Sequence, residues 1–145
     1  MGVFYVDCTV KNLALREKSS LIEELVVDTG SEFTWIPESV LKEIGVEVEK
    51  PNQHFVMANG EVITRDIGYA IIKVNGFETV DEIVFAHSGD LSLLGSRTLE
   101  GFGATVDARN KQLVAAGPHL AALTRAVSLR LEEKKDRKLT ACATE

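Results

Sequence analysis

The chain has 145 residues, 45 % of them apolar and 26 % charged, about one domain's worth with one continuous hydrophobic core. Its formal net charge of -6 argues against nucleic acid as the main partner, because phosphate binding wants a basic face. No stretch approaches the roughly 20 apolar residues that span a bilayer, and the start MGVFYVDCTVKN lacks the basic region and long apolar core of a signal peptide. The two cysteines, Cys8 and Cys142, have no metal-ligand spacing around them and make no disulfide framework. They are read as free thiols in a reducing compartment, which implies a cytoplasmic protein.

Residues 3–10 (VFYVDCTV) are β-branched and aromatic and predict a strand; residues 11–20 are polar and predict a loop. Residues 22–27 (IEELVV) predict a second strand, which runs straight into Asp28-Thr29-Gly30. After Pro37, Val40, Leu41 and Ile44 share one helical face and Gly45 suits a C-cap. Residues 53–56 and 61–64 flank Ala58-Asn59-Gly60, and Asn-Gly between strand-like runs is a strong hairpin signal. The turn it favours wants positive φ at both residues. A second hairpin follows over 68–74 and 77–85 about Asn75-Gly76, then apolar residues 91–95 and a short helix over 96–102. A third hairpin is predicted over 104–114, turning at 107–110. From Pro118, Leu120, Leu123, Val127 and Leu131 recur at spacings of three and four, the pattern of an amphipathic helix. A charged run over 132–138 and a frayed end follow it. The expected organisation is thus one lobe over 1–117 and a helical tail over 118–145.

The chemistry sits in Leu25-Val26-Val27-Asp28-Thr29-Gly30-Ser31. A carboxylate leaves an apolar strand, where burial raises its pKa and the turn's hydroxyl and N–H groups can orient it. The bland reading is a strand that ends in an Asx turn. Three specified residues arise by chance in a chain this long about once in fifty, so the tripeptide alone is moderate evidence. A faint internal echo adds to it. Strand, Asp-Thr-Gly and a helix ending at Ile44-Gly45 are matched by Leu93-Leu94-Gly95 and a helix ending at Phe102-Gly103.

The segment resembles the active-site signature of the retroviral-type, single-domain aspartic proteases. The likeness continues through Thr34-Trp35-Ile36-Pro37, through Asn59-Gly60 at the place of the flap hairpin, and through Leu93-Leu94-Gly95. It covers roughly residues 3–114 and is more similar to the small cellular and prokaryotic members than to a minimal viral enzyme. The resemblance implies an all-β lobe with a flap, a closed barrel-like sheet and short helices. It implies an aspartic endopeptidase without metal or organic cofactor, a peptide or protein substrate, and a homodimer in which each copy supplies Asp28. By the same resemblance Thr29 would hydrogen-bond across the twofold axis and Gly30 would offer its carbonyl to substrate. Ser31, Glu32, Met57, Ala58, Asn59, Gly60 and Leu94 would meet the substrate. Ser96 stands where retroviral members carry an arginine that pairs with the acid at Glu32, and Arg97 follows it, either to take that place or to point away. The flap tip is less glycine-rich than a viral one.

Other titratable residues read more blandly. His54, His87 and His119 share no spacing and suggest surface or structural roles. Asp66 and Asp107 are considered as second carboxylates but read as solvated loop residues. Trp35 is read as core or as the floor of a cleft. Two rival functions remain: a dimeric binding or scaffolding module of this fold with little proteolysis, and a dimerisation domain regulated by its tail.

Overall fold

The structure, a computed structural model, describes residues 3–118. The tail helix expected beyond Pro118, with His119 and Cys142, lies outside them. Strand β1 (Tyr5–Asn12) pairs antiparallel with β2 (Ser19–Val27), and Phe4, Cys8, Val10 and Asn12 point to the same buried side. That alternation is the period of two that the apolar pattern of the segment requires. Burial pushes the Cys8 thiol up to about 12, so it is an inert core residue. The buried Asn12 closes the loop between the strands. Its Oδ1 accepts from the N–H groups of Ala14 and Leu15 at 2.9 and 2.8 Å, and its Nδ2 donates to the Ile44 carbonyl at 2.9 Å.

Strand β3 (Thr34–Pro37) leads into helix α1 (Glu38–Glu43), whose buried face is anchored by Leu41. Strands β4 (Lys50–Val56), β5 (Val62–Val74) and β6 (Phe77–Ala86) then form two consecutive hairpins, and β7 (Leu93–Leu94) precedes α2 (Ser96–Phe102). Strands β8 (Ala104–Asp107) and β9 (Gln112–Ala115) make a separate two-stranded sheet. The main sheet runs β1-β2-β7-β3-β6-β5-β4, and β1 also pairs with β5, so six strands close into a ring with β4 extending from it. This is the all-β lobe that the sequence implied.

One strand differs from the sequence reading, which ended a strand at residue 64 and began another at 68. The structure runs β5 unbroken through Arg65, Asp66 and Gly68, because each has a partner there. Arg65 is ion-paired, and Asp66 accepts the Asn52 N–H at 2.9 Å, so Asp66 is a half-buried strand residue and not a solvated loop residue. At Gly68 the strand passes so close to β4's approach that a Cβ would lie 2.6 Å from the Glu47 carbonyl oxygen. Asp107 holds the β8–β9 turn, accepting from the backbone and side chain of Asn110. Among the described residues no helix is long and apolar enough to cross a membrane.

The core falls into two clusters. The larger fills the ring with Val10, Leu25, Ile36, Leu41, Ile72, Ile83, Phe85 and Leu94 among others. The smaller gathers Trp35, Ile67, Val84, Ala86 and Leu93 on the side where the β4–β5 hairpin projects. A cleft opens over that second cluster.

Candidate active site

Asp28 is placed by the crossing of β2 and β7. These strands are parallel, with Val26 opposite Leu93 and Val27 opposite Leu94, and the Asp28 N–H extends the ladder by donating to the Leu94 carbonyl at 3.0 Å. The chain then turns. The Ser31 N–H donates to the Asp28 carbonyl at 3.1 Å, and the Gly30 N–H donates to Asp28 Oδ1 at 2.9 Å. The carboxylate is therefore oriented by its own turn, half-buried, at the mouth of an apolar strand.

The segment that follows is strapped to the start of α2. Ser96 N–H donates to the Ser31 carbonyl at 2.8 Å and Arg97 N–H to the Glu32 carbonyl at 3.0 Å. Beneath it runs a chain of buried polar groups. Gly95 N–H donates to Thr34 Oγ1, Thr34 Oγ1 meets Thr98 Oγ1 at 2.5 Å, and Thr98 Oγ1 donates to Asp81 Oδ2. Because Thr98 spends its proton on Asp81, Thr34 must be the donor to Thr98. Every member is then satisfied, which is the condition for such a network to rigidify a fold.

The cleft in front of Asp28 has a volume of about 670 Å³. Gly30, Ser31 and Glu32 line it beside Asp28, and residues 53–58 of the β4–β5 hairpin form the opposite wall. Phe33, Trp35, Phe55, Ile67, Leu91 and Leu93 supply apolar surface between them. Phe55 presents edge-to-face contacts to Phe33 and Trp35, with centroids 5.6 and 5.1 Å apart. These pairs tie the hairpin wall to the floor.

Of the residues singled out from sequence, Asp28, Gly30, Ser31, Glu32, Met57 and Ala58 come together around this cleft. Thr29 is exposed beside it, and Asn59 and Gly60 lie at the hairpin tip outside its lining. Leu94 is fully buried and stands behind the site, reaching it only through its carbonyl to Asp28, while its neighbour Leu93 faces the cleft. The hairpin turn also departs from expectation. Gly60 has φ 88°, but Asn59 is not in the left-handed region. Gly60 N–H donates to the Met57 carbonyl and Met57 N–H to the Glu61 carbonyl. That is a three-residue turn closed by a glycine bulge, the next most common hairpin solution.

Arg97 does not take up the acid at Glu32. Its Nη2 donates to Glu82 Oε2 at 3.2 Å, and its guanidinium lies 4.8 Å from the centroid of Phe33. Glu82 uses its other oxygen on Lys50 at 3.0 Å. His54, read as a surface residue, is exposed but borders the cleft. Sequence reasoning missed one further pair. Asp90, in the cleft wall, binds Arg65 bidentately at 2.6 and 2.8 Å. The two are separated by 25 residues, and no local pattern links them.

The family model described as gag-polyprotein putative aspartyl protease matches residues 23–101, more than half of the chain. No curated protein matches the chain. The matched span begins within β2 and ends within α2, so it holds both strands of the crossing that carries Asp28 and the hairpin between them. The chain belongs to this retropepsin-like family of aspartyl proteases.

Proposed function

We propose that the chain is an aspartic endopeptidase that works as a homodimer, with one Asp28 from each subunit. The observation that carries this reading is a single Asp-Thr-Gly, its carboxylate held at a cleft of a size to take peptide side chains. The chemistry needs two carboxyls. Placed about 3 Å apart they cannot both ionise, so they share a proton. The ionised one takes a proton from water as general base, and the protonated one donates to the scissile carbonyl. No metal or organic cofactor is called for.

Among the described residues of one chain, no other aspartate is a good source of the second acid. Asp90 lines the cleft, but the hydrogen bond from Arg65 holds its carboxyl below the usual carboxylate range. It is thus a poor partner for a shared proton. Asp66 and Asp107 do not line the cleft. A twofold axis beside the exposed Thr29 supplies the missing group, and twofold symmetry is the commonest in homo-oligomers. Glu32, Ser31, Met57 and Ala58 would contact the substrate backbone and side chains. A cytoplasmic location is part of the same proposal, in keeping with a buried free thiol at Cys8.

Sedimentation at micromolar concentration is expected to show a dimer. A monomer whose peptidase activity persists at nanomolar dilution would defeat the shared-site reading. The decisive assay is digestion of a peptide library by the wild-type protein, with a pepstatin-type inhibitor as control.

The hairpin tip gives a second test. Gly60 holds φ 88° with open space around its Cβ direction, so Gly60→Val suffers backbone strain and no clash. The strain costs roughly 1–3 kcal/mol locally. If the hairpin closes on substrate, peptide cleavage falls while dimer affinity is kept. Unchanged cleavage would mean that the tip takes no part in holding substrate.

A further inference from the structure

The β4–β5 hairpin has two halves that are held differently. Near its base, Lys50 pairs with Ile67 and the next pair is Gln53 with Arg65, so Pro51 and Asn52 together oppose Asp66 alone. Asn52 sits at φ 57°, and its N–H is turned onto Asp66 Oδ1 at 2.9 Å. This is a β-bulge, which interrupts the ladder and bends the strand. Beyond it, the ladder from β5 to β6 has ended, since its first pair is Ile67 with Val84. Among the described residues, 53–65 are therefore a two-stranded ribbon with no third strand. Such a ribbon is marginal by itself.

A charged tie holds that ribbon just past the bulge. Arg65 Nε and Nη2 donate to the two oxygens of Asp90, with side chains only 15 % and 13 % exposed. Asp90 is itself held in place, since its Oδ2 also accepts the His87 N–H at 2.7 Å and its own N–H donates to the His87 carbonyl. The same loop carries Leu91, 65 % exposed, into the cleft wall. The pair thus joins the ribbon wall of the cleft to the loop on its rim.

We propose that Arg65 and Asp90 are positioning residues: a clasp next to a bulge hinge, which sets how far the ribbon stands from Leu91 and so how tightly a peptide is held. This rests on reading the hairpin as the cover of a peptide-binding cleft. Two parallel charge-assisted hydrogen bonds fix distance and angle together, which a single lysine contact would not. Removing either partner leaves the other charge shielded from water and unpaired, so the ribbon is expected to lift rather than keep its place.

Amide exchange and peptide kinetics on Asp90→Asn, Arg65→Gln and Arg65→Lys test this. Exchange at Met57 and Gly60 in the ribbon is expected to be about tenfold faster in the first two, with Ile71 and Ile72 in the ring unchanged. Arg65→Lys should fall between them and wild type. KM for a peptide that the wild type cleaves should rise roughly tenfold with kcat within about twofold. Unchanged ribbon exchange overturns the clasp, and so does exchange that rises equally in the ring, because the pair would then only stabilise the fold. Ribbon exchange that quickens while KM stays flat overturns its effect on substrate. If the wild type cleaves no peptide, the proteolytic reading fails, and the exchange measurement still decides the clasp.

Discussion

Asp28→Asn is expected to abolish peptide cleavage and leave the fold in place. Asparagine is nearly isosteric with aspartate, and its Oδ1 can still accept the Gly30 N–H. The backbone bond from residue 28 to the Leu94 carbonyl does not depend on the side chain. What is lost is the ability to take a proton from water, a contribution on the order of 10²- to 10⁴-fold for a general base. In the proposed dimer both copies change at once, so neither acid nor base remains and the loss should reach the top of that range. Two amides also have no charge to repel across the axis, so dimerisation should persist. The checks are peptide cleavage, thermal unfolding and sedimentation on one preparation. A variant that keeps most of its activity removes Asp28 from the mechanism.

Much of this site was legible in the sequence because its elements are local. An apolar strand running into Asp-Thr-Gly, an Asn-Gly between strand-like runs and an apolar pair before Gly95 each declare themselves within a few residues. The parts that were not legible depend on register and on distant partners. Leu93 and Leu94 are chemically alike. Only the pairing of Val27 with Leu94, and of Trp35 with Leu93, decides which faces the core and which the cleft. Arg65 and Asp66 read as a polar break in a strand because their partners, Asp90 and the Asn52 N–H, belong to other elements. Arg97 likewise found its acid on β6, at Glu82, instead of on the turn that follows Asp28. At Asn59-Gly60 the dipeptide announced a turn but not its type, since the glycine alone takes the left-handed conformation.

Gly95→Ala should be the most damaging single methyl group that can be added behind the site. Gly95 has φ -98° and ψ 177°, ordinary extended values, so alanine meets no conformational penalty there. The obstacle is space. A Cβ would lie 2.3 Å from the Phe33 carbonyl oxygen, 2.6 Å from its carbon and 2.9 Å from the Glu32 oxygen. These are backbone atoms, which cannot rotate aside as a flexible side chain would. Relief requires residues 32–33 to separate from Gly95 by about 1 Å, and interiors packed like organic crystals resist that. The same movement stretches the bonds from Ser96 to the Ser31 carbonyl and from Arg97 to the Glu32 carbonyl. It also pulls Gly95 N–H from Thr34, the head of the buried chain that ends on Asp81. Overpacking alone costs typically 1–3 kcal/mol, and the loss of buried hydrogen bonds adds to it, so about 3 kcal/mol or more is expected. For a domain of this size that lowers Tm by on the order of 10 °C. Peptide cleavage should fall as well, since the displaced segment begins only four residues after Asp28. Gly76→Ala, at a turn with nothing within 4 Å of the added methyl, serves as the control. Calorimetry on the two variants separates the cases: a Gly95→Ala protein that melts with the control would mean that the backbone at Phe33 yields freely. The strap on the turn after Asp28 would then be far looser than its hydrogen bonds imply.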